Sequence, residues 1–374
     1  MRTKSGELSV EVSNITLLAP CLRNVPSTGF ENSHKRFRKR YLDFMVNKNS
    51  RDVIIMRSKV IKYIRNFLEN RDFMEVETPI LGASIGGATA RPFITWHNDM
   101  EQELVMRVAP ELYLKQMVVG GFDKVFEIGK LFRNEGIDHS HNPEFTSCEF
   151  YQAYADYNDL IDTTEELLGG MVKQLELQPS HGSVKLDLTK PFSRIEFLPS
   201  LESACGVSFP PPTELDTEDS LKFLQSVCYK QGVGVEDVIT IPRLLDRLMG
   251  RLVEPELVQP TFLMHHPLVM SPLAKQHRNV PGLAERFELF IGGKEVANAY
   301  TELNDPEVQR SVLLSQTGLS DPEAMVPDEA FCTSLEYGLP PTAGWGCGLD
   351  RLVMVLCNLD NIRDTIVFPL QREL

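Results

Sequence analysis

The chain has 374 residues, 42% of them hydrophobic and 24% charged, enough to bury a large core and to hold two domains. A net charge of −14 excludes a broadly basic surface, so any grip on a nucleic acid is local or comes from a part of the protein not present here. No apolar run reaches the roughly 18 residues of a membrane span, and MRTKSGELSV lacks the hydrophobic centre of a signal peptide.

Residues 7–18 (ELSVEVSNITLL) alternate as strands do, and Pro20 to Gly29 reads as a loop. His34 to Arg40 is the only concentrated basic stretch, either a solvated helix face or an RNA contact. Val53, Met56, Val60, Ile61, Ile64, Phe67 and Leu68 form a helical stripe, followed by Phe73 to Thr78, which alternates like a strand and stops at Pro79. Next come Phe132-Arg133-Asn134-Glu135 and, at 141–151, HNPEFTSCEFY. Residues 210–260, with Pro210-Pro211-Pro212 ahead of RLLDRLMGRLV, read as a helical insertion. Near the end stands Gly344-Trp345-Gly346-Cys347-Gly348-Leu349-Asp350-Arg351. Seven cysteines without C-x-x-C spacing point to reduced thiols and to a soluble, cytoplasmic protein.

Arginine suits polyphosphate because its planar fork donates bidentate hydrogen bonds and keeps its charge. Arg133 and Arg351 could therefore hold one such ligand at both ends. Taken singly, a G-x-G-x-G run is more often a tight turn, and an R-x-E is usually a surface ion pair.

The order decides between these readings. Helix, strand and proline, then F-R-x-E, then G-x-G-x-D-R resemble the three motifs of class II aminoacyl-tRNA synthetases. RYLDFMVN (40–47), PFITWHND (92–99), residues 107–157, MSPLAKQHR (270–278), NAYTELNDP (298–306) and EYGLPPTAGWGCGLDR (336–351) are similar to lysyl-tRNA synthetases. The likeness runs from about residue 4 to the end and is loosest over 175–260. It implies an α+β catalytic domain at 34–374, an antiparallel sheet flanked by helices, with the insertion near 210–260. Residues 1–33 would be the remnant and linker of an N-terminal anticodon-binding OB-fold, too short for a five-stranded barrel.

The resemblance also implies a reaction: ATP and L-lysine give lysyl-adenylate and pyrophosphate, and lysine then passes to the 3′ end of tRNA(Lys). Arg133 and Arg351 would be the catalytic arginines, on the α- and γ-phosphates. ATP would further meet Glu135, His141, Phe145 (stacked on adenine), Glu295, Asn298 and Gly348. Lysine would meet Gly87, Glu111, Arg133, Glu149, Tyr151, Asn298, Tyr300, Glu302 and Gly344, with Glu302 on the ε-ammonium group and Tyr151 assisting. Glu288 and Glu295, seven residues apart around Gly292-Gly293, would bind Mg2+ with hard oxygen donors. The family further implies a homodimer joined through residues 53–79, unless the stripe packs only into its own core.

Without a complete OB-fold, tRNA binding is expected to be weak. One alternative is a lysine ligase acting on a protein acceptor such as an elongation factor; another is a non-catalytic paralogue, which the intact Arg133, Arg351 and metal acids disfavour. An aspartyl or asparaginyl enzyme would need a cation or amide where Glu149 and Glu302 stand. His34, His97, His139, His181, His265, His266 and His277 read as exposed or structural, and Cys148 as strand packing.

Overall fold

The helical stripe lies in the longest helix of the chain and brings one face into the main core. In this computed structural model the described residues are 2, 4–26, 31–82, 86–88, 90–235, 240–316 and 328–371. They fall into two compact units, Met1–Arg51 and Asp52–Leu374.

The first unit carries α1 (Ser33–Arg38), α2 (Arg40–Val46) and the start of α3 (Lys48–Glu69). Asn32 caps α1 by accepting from the Lys35 amide. Asp43 gathers this unit. It pairs with Arg40 and accepts from Arg36 at 3.2 Å, Asn47 at 2.6 Å and Ser50 at 3.0 Å. Burial pushes its carboxyl up, but these donors together hold it below its ordinary range. The strands expected at 7–18 are not formed. Among the described residues of this segment only an isolated Arg2–Leu8 bridge pairs, and Leu8, Val10, Ile15, Leu17 and Leu18 are exposed. Alternation makes a strand only where another backbone supplies hydrogen-bond partners. The basic stretch is likewise split between α1 and α2, with Phe37 and Arg40 buried and the rest turned outward or half-buried.

The second unit is built on one sheet. Its elements continue as β1 (Met74–Glu75), β2 (Leu81–Gly82), β3 (Ile94–His97), β4 (Gln102–Met106), α4 (Glu111–Val119), β5 (Lys124–Phe132), β6 (Glu144–Ala153) and α5 (Tyr157–Gln174). They run on through β7 (Ser180–His181), β8 (Val184–Lys185), β9 (Ser193–Glu196), α6 (Phe197–Cys205), α7 (Glu218–Lys230), α8 (Ile241–Leu252) and β10 (Thr261–Met264). The last are β11 (Arg286–Ile291), β12 (Lys294–Thr301), α9 (Pro306–Gln316), α10 (Glu329–Leu335), β13 (Thr342–Gly348) and α11 (Leu349–Leu356). Eight strands order as β1-β5-β6-β13-β12-β11-β10-β9. The sheet is antiparallel at its centre, as expected, and parallel only at the outer pairs β1–β5 and β9–β10.

The main core joins α3, α5 and α11 to one side of this sheet through Val60, Ile64, Leu168, Phe150, Trp345 and Leu352. Phe150 and Trp345 stack with centroids 5.0 Å apart, and the Trp345 indole donates to Thr164 Oγ1 at 3.0 Å. Asp156 caps α5 in a reciprocal capping box with Asp159. Because Val60, Ile64, Phe67 and Leu68 are consumed by this core, the stripe packs into its own domain. Ile55, Met74, Ile80 and Leu81 remain exposed around it.

A separate apolar cluster unites α6, α7 and α8 with Leu263 and Phe290 of the sheet. Residues 210–260 hold α7 and α8, and the cluster they share begins at Phe197 on α6.

Asp350, at the N-terminus of α11, is the hub linking the three motif segments. It accepts from Arg57 of α3 at 2.5 Å, from the Thr146 amide of β6 at 2.7 Å and from Thr365 at 3.2 Å. Arg57 also donates to Thr146 Oγ1 at 2.8 Å. Arg57→Met is expected to strand this buried carboxylate and cost about 3 kcal/mol, as removing one partner of a buried pair does. Chemical denaturation of the variant checks this, and an unchanged midpoint would show that solvent or Thr365 replaces the guanidinium.

Candidate active site

Strand alternation builds the site. On β6 the odd residues Phe145, Ser147, Glu149 and Tyr151 share a face. The register sets Tyr151 opposite Gly344, Gly344 opposite Tyr300, and Tyr300 opposite Arg286. The next row runs Glu149, Gly346, Asn298, Glu288. Two rows of polar side chains thus cross four strands, with glycines on β13 keeping the floor low. They bound a cavity of about 450 Å³.

Glu295 would fall on the opposite face by simple counting from Asn298. A register shift between Leu289 and Phe290 re-aims it, a known use of a β-bulge beside a site. The turn that brings Glu288 and Glu295 together needs two consecutive left-handed residues, and Gly292 and Gly293 adopt φ of 61° and 66°.

At one end of the cavity stands Arg351. It donates to the Glu295 carbonyl and carboxylate, both at 3.1 Å, and lies 2.9 Å from His141 Nε2. The His141 ring is oriented in turn by Asp138, 2.8 Å from its Nδ1. Arg133 holds its guanidinium carbon 5.2 Å from the Phe145 ring centroid, and its buried Nε has no protein partner. Glu135 and Gly348 line the same end.

The other end is acidic. Gly87, Glu111, Glu149, Tyr151, Tyr300 and Gly344 line it, and the Tyr300 hydroxyl lies 2.8 Å from both oxygens of Glu111. Burial, reinforced by the charge of Glu111 against the opposing pull of Arg133, pushes Glu149 up to about 8. Of the residues expected in the site, Glu302 is the one not brought to the cavity surface. It lies behind the wall, 1% exposed, paired with Lys115 of α4. Its Oε1 is buried without a hydrogen-bond partner, and a Cβ on Gly344 would overlap it. The absent side chain of Gly344 therefore makes room for this carboxylate. Gly87 instead meets a backbone demand, with φ of 88°.

Several contributing residues were not expected from the sequence. Arg286 lines the cavity, donates to Glu288 at 2.6 Å and to Asn298 at 3.2 Å. The spacing of two between Arg286 and Glu288 on one strand was the available signal. His266 is fully buried, 3.2 Å from Glu288, so it is structural and not exposed. Asp246 reaches the cavity from α8, and nothing in the amphipathic RLLDRLMGRLV marks it.

Burial pushes Glu288 up, but His266 and Arg286 outweigh it and hold the carboxyl at about 2. Burial and then the charge of Glu288 push Asp246 to about 6 and Glu254 to about 8, and raise Glu295 as well. Asp246, Glu288 and Glu295 line this end of the cavity, all with hard oxygen donors. Such a donor set fits a divalent cation, which Mg2+ sites typically complete with substrate phosphates and water.

A family model described as tRNA synthetases class II (D, K and N) matches residues 32–372. The chain belongs to this family. Among curated relatives, the synthetase is 52% identical to the probable cytoplasmic lysine–tRNA ligase of Encephalitozoon cuniculi, over 98% of the chain and 75% of that protein. It is 49% identical to lysine–tRNA ligase cla4 of Cladosporium cladosporioides, over 99% of the chain and 64% of that protein. The lysine–tRNA ligase of Aquifex aeolicus is 46% identical, with 98% and 62% covered. The synthetase thus spans between three-fifths and three-quarters of these relatives.

In this synthetase Gly344→Ala is expected to lower stability by about 1–3 kcal/mol through overpacking against Glu302 and Tyr151. Gly346→Ala, whose Cβ would stand an ordinary 3.5 Å from Glu149 Cγ, is expected to stay near neutral by comparison. Urea titration of both variants tests the contrast, and equal effects would refute it.

Proposed function

We propose that this chain carries the chemistry of a lysine–tRNA ligase: activation of L-lysine by ATP, then transfer of lysine to the 3′ end of tRNA(Lys). The observation that carries this reading is one cavity with arginines and metal-compatible acids at one end and two carboxylates, Glu111 and Glu149, at the other, with Glu302 behind its wall. Lysine–tRNA ligases covering almost the whole chain support it.

In this reading the lysine carboxylate attacks the α-phosphate in line and pyrophosphate leaves. The protein's work is to position reactants and to meet charge as it develops at phosphorus. Arg133, with its unpartnered buried Nε, bridges the substrate carboxylate and the α-phosphate. Phe145 offers its ring to adenine, with Glu135 and His141 placing the nucleotide. Arg351, braced by Glu295 and His141, takes the γ-phosphate. Glu288 and Glu295 would hold Mg2+, which supplies electrostatic neutralisation of the phosphates; Asn298 and Gly348 complete the wall. At the other end Gly87, Glu111 and Glu149 meet the α-ammonium group. Tyr151, Tyr300 and the buried Oε1 of Glu302 beneath Gly344, which has no protein hydrogen-bond partner, receive the ε-ammonium group. An acid that is costly when unpaired favours a cationic substrate and disfavours neutral amino acids.

Ile55, Met74, Ile80 and Leu81, in and just beyond the first motif, are exposed large apolar side chains, and this supports a homodimer through that segment. A protein of 42.3 kDa per chain would then sediment at twice that mass. A monomer at micromolar concentration would contradict the dimer. The relatives named cytoplasmic support a cytoplasmic site of action.

The decisive assay is amino-acid-dependent ATP–pyrophosphate exchange. Exchange is expected with lysine and not with aspartate or asparagine, and Arg351→Ala should reduce it by about 10²–10³-fold. Exchange with aspartate, or none with any amino acid, overturns the reading. The pH dependence has a definite sign. Glu149 is protonated below about 8 and binds an ammonium group only when ionised. The KM for lysine should therefore fall, by up to about tenfold per pH unit, as pH rises toward that value. A Glu149→Gln variant should lose this slope; a slope retained in it would assign the titration to another group.

A further inference from the structure

Lys115 is a fully buried ammonium with no place in the reaction just described. On α4 it stands one turn beyond Glu111, 2.6 Å from Glu111 Oε1, and its other carboxylate partner is Glu302. Its exposure is 0%, and the rings of Tyr300 and Phe331 lie 5.8 Å and 5.7 Å from its Nζ. Both carboxylate partners hold it charged despite burial. Buried ion pairs are poor stabilisers, since desolvation of both ions offsets their attraction and an apolar side chain would pack as well. Lys115 therefore calls for an explanation other than stability.

The charges of the pocket supply one. Three carboxylates, Glu111, Glu149 and Glu302, lie close enough to influence one another's protonation. When all are ionised, Lys115 reduces their three negative charges to two. L-lysine brings two ammonium groups to this end while its carboxylate goes to Arg133. An amino acid with one ammonium group would leave a negative charge uncompensated in a dry site.

Resting on the lysine-ligase reading, we propose that Lys115 is a specificity-determining and positioning residue. Its ammonium group holds Glu302 and Glu111 from behind the pocket wall and sets the pocket at two negative charges, the complement of a substrate with two ammonium groups.

Charge counting makes an unusual forecast. With the remaining carboxylates ionised, as binding of two ammonium groups requires, Glu111→Gln leaves one negative charge, Lys115→Met leaves three, and the double variant restores two. Lysine and ATP KM values are measured by pyrophosphate exchange for the wild type and all three variants. Each single variant is expected to raise the lysine KM about tenfold or more, with the ATP KM within about twofold. The double variant is expected to have a lower lysine KM than either single variant, a gain that a merely structural role would not produce. An unchanged KM in Lys115→Met, or a double-variant KM equal to or above the product of the single effects, overturns the proposal.

If Lys115→Met alone fails to fold, the comparison is between Glu111→Gln and the double variant, in which both members of a buried pair are removed together. Failure of both Lys115 variants to fold while Glu111→Gln folds would assign Lys115 to stability and overturn the proposal. Wild-type protein without lysine-dependent exchange is a separate result: it removes the underlying function. Normal wild-type exchange with multiplicative variants removes only the role of Lys115.

Discussion

The two-residue alternation of four neighbouring antiparallel strands is the constraint on which the site depends. Because β6, β13, β12 and β11 are in a fixed register, every second side chain of each strand is delivered to one face. A slip of one residue in any strand would turn its share of the site into the core. The opposite face carries Phe150, Trp345, Ala299 and Phe287 into the hydrophobic core, so the apolar pattern fixes the register and the register fixes the chemistry. Glu295 depends on an added device, since only the bulge on this strand pair returns it to the face of Asn298.

Putting charged side chains on that face has an electrostatic cost that the structure answers in two ways. At the arginine end, guanidinium groups meet the acids: Arg351 reaches Glu295 from α11, and Arg286, two residues away on the same strand, pairs with Glu288, which also lies 3.2 Å from His266. At the acidic end one internal ammonium, Lys115, serves two carboxylates, and a third is left with a raised proton affinity. Under the proposed function, the imbalance at each end would match a different ligand, phosphates with a divalent cation on one side and ammonium groups on the other. Asp350 lies outside this balance. Its buried pairing with Arg57 and the Thr146 amide holds α3, β6 and α11 together.

Much of this was legible in the sequence where the signal is local. The stripe from Val53 to Leu68 gave a helix, and the motif residues from Arg133 to Arg351 line a single cavity, with Glu302 just behind its wall. Alternation at 7–18 misled, because a strand requires a partner that a period of two cannot reveal. Asp246 and Arg286 escaped notice, and His266 was read only as exposed or structural, for a related reason. Each looks like an ordinary charged or polar residue in its own segment, and becomes part of the site only by packing beside Glu288 and Glu295.

By itself, the sequence determined the kinds of group available, their order along the chain and the face each occupies on its own strand or helix. Periodicity and short motifs carry that information within a few residues. Only the tertiary structure decided which groups share a dielectric environment and which carboxylate is compensated by which cation. It also decided that Glu302 stands behind Gly344 with Lys115, 187 positions earlier, as its partner. Ionic energies depend on separation and burial in space, and neither quantity is a property of neighbours in sequence.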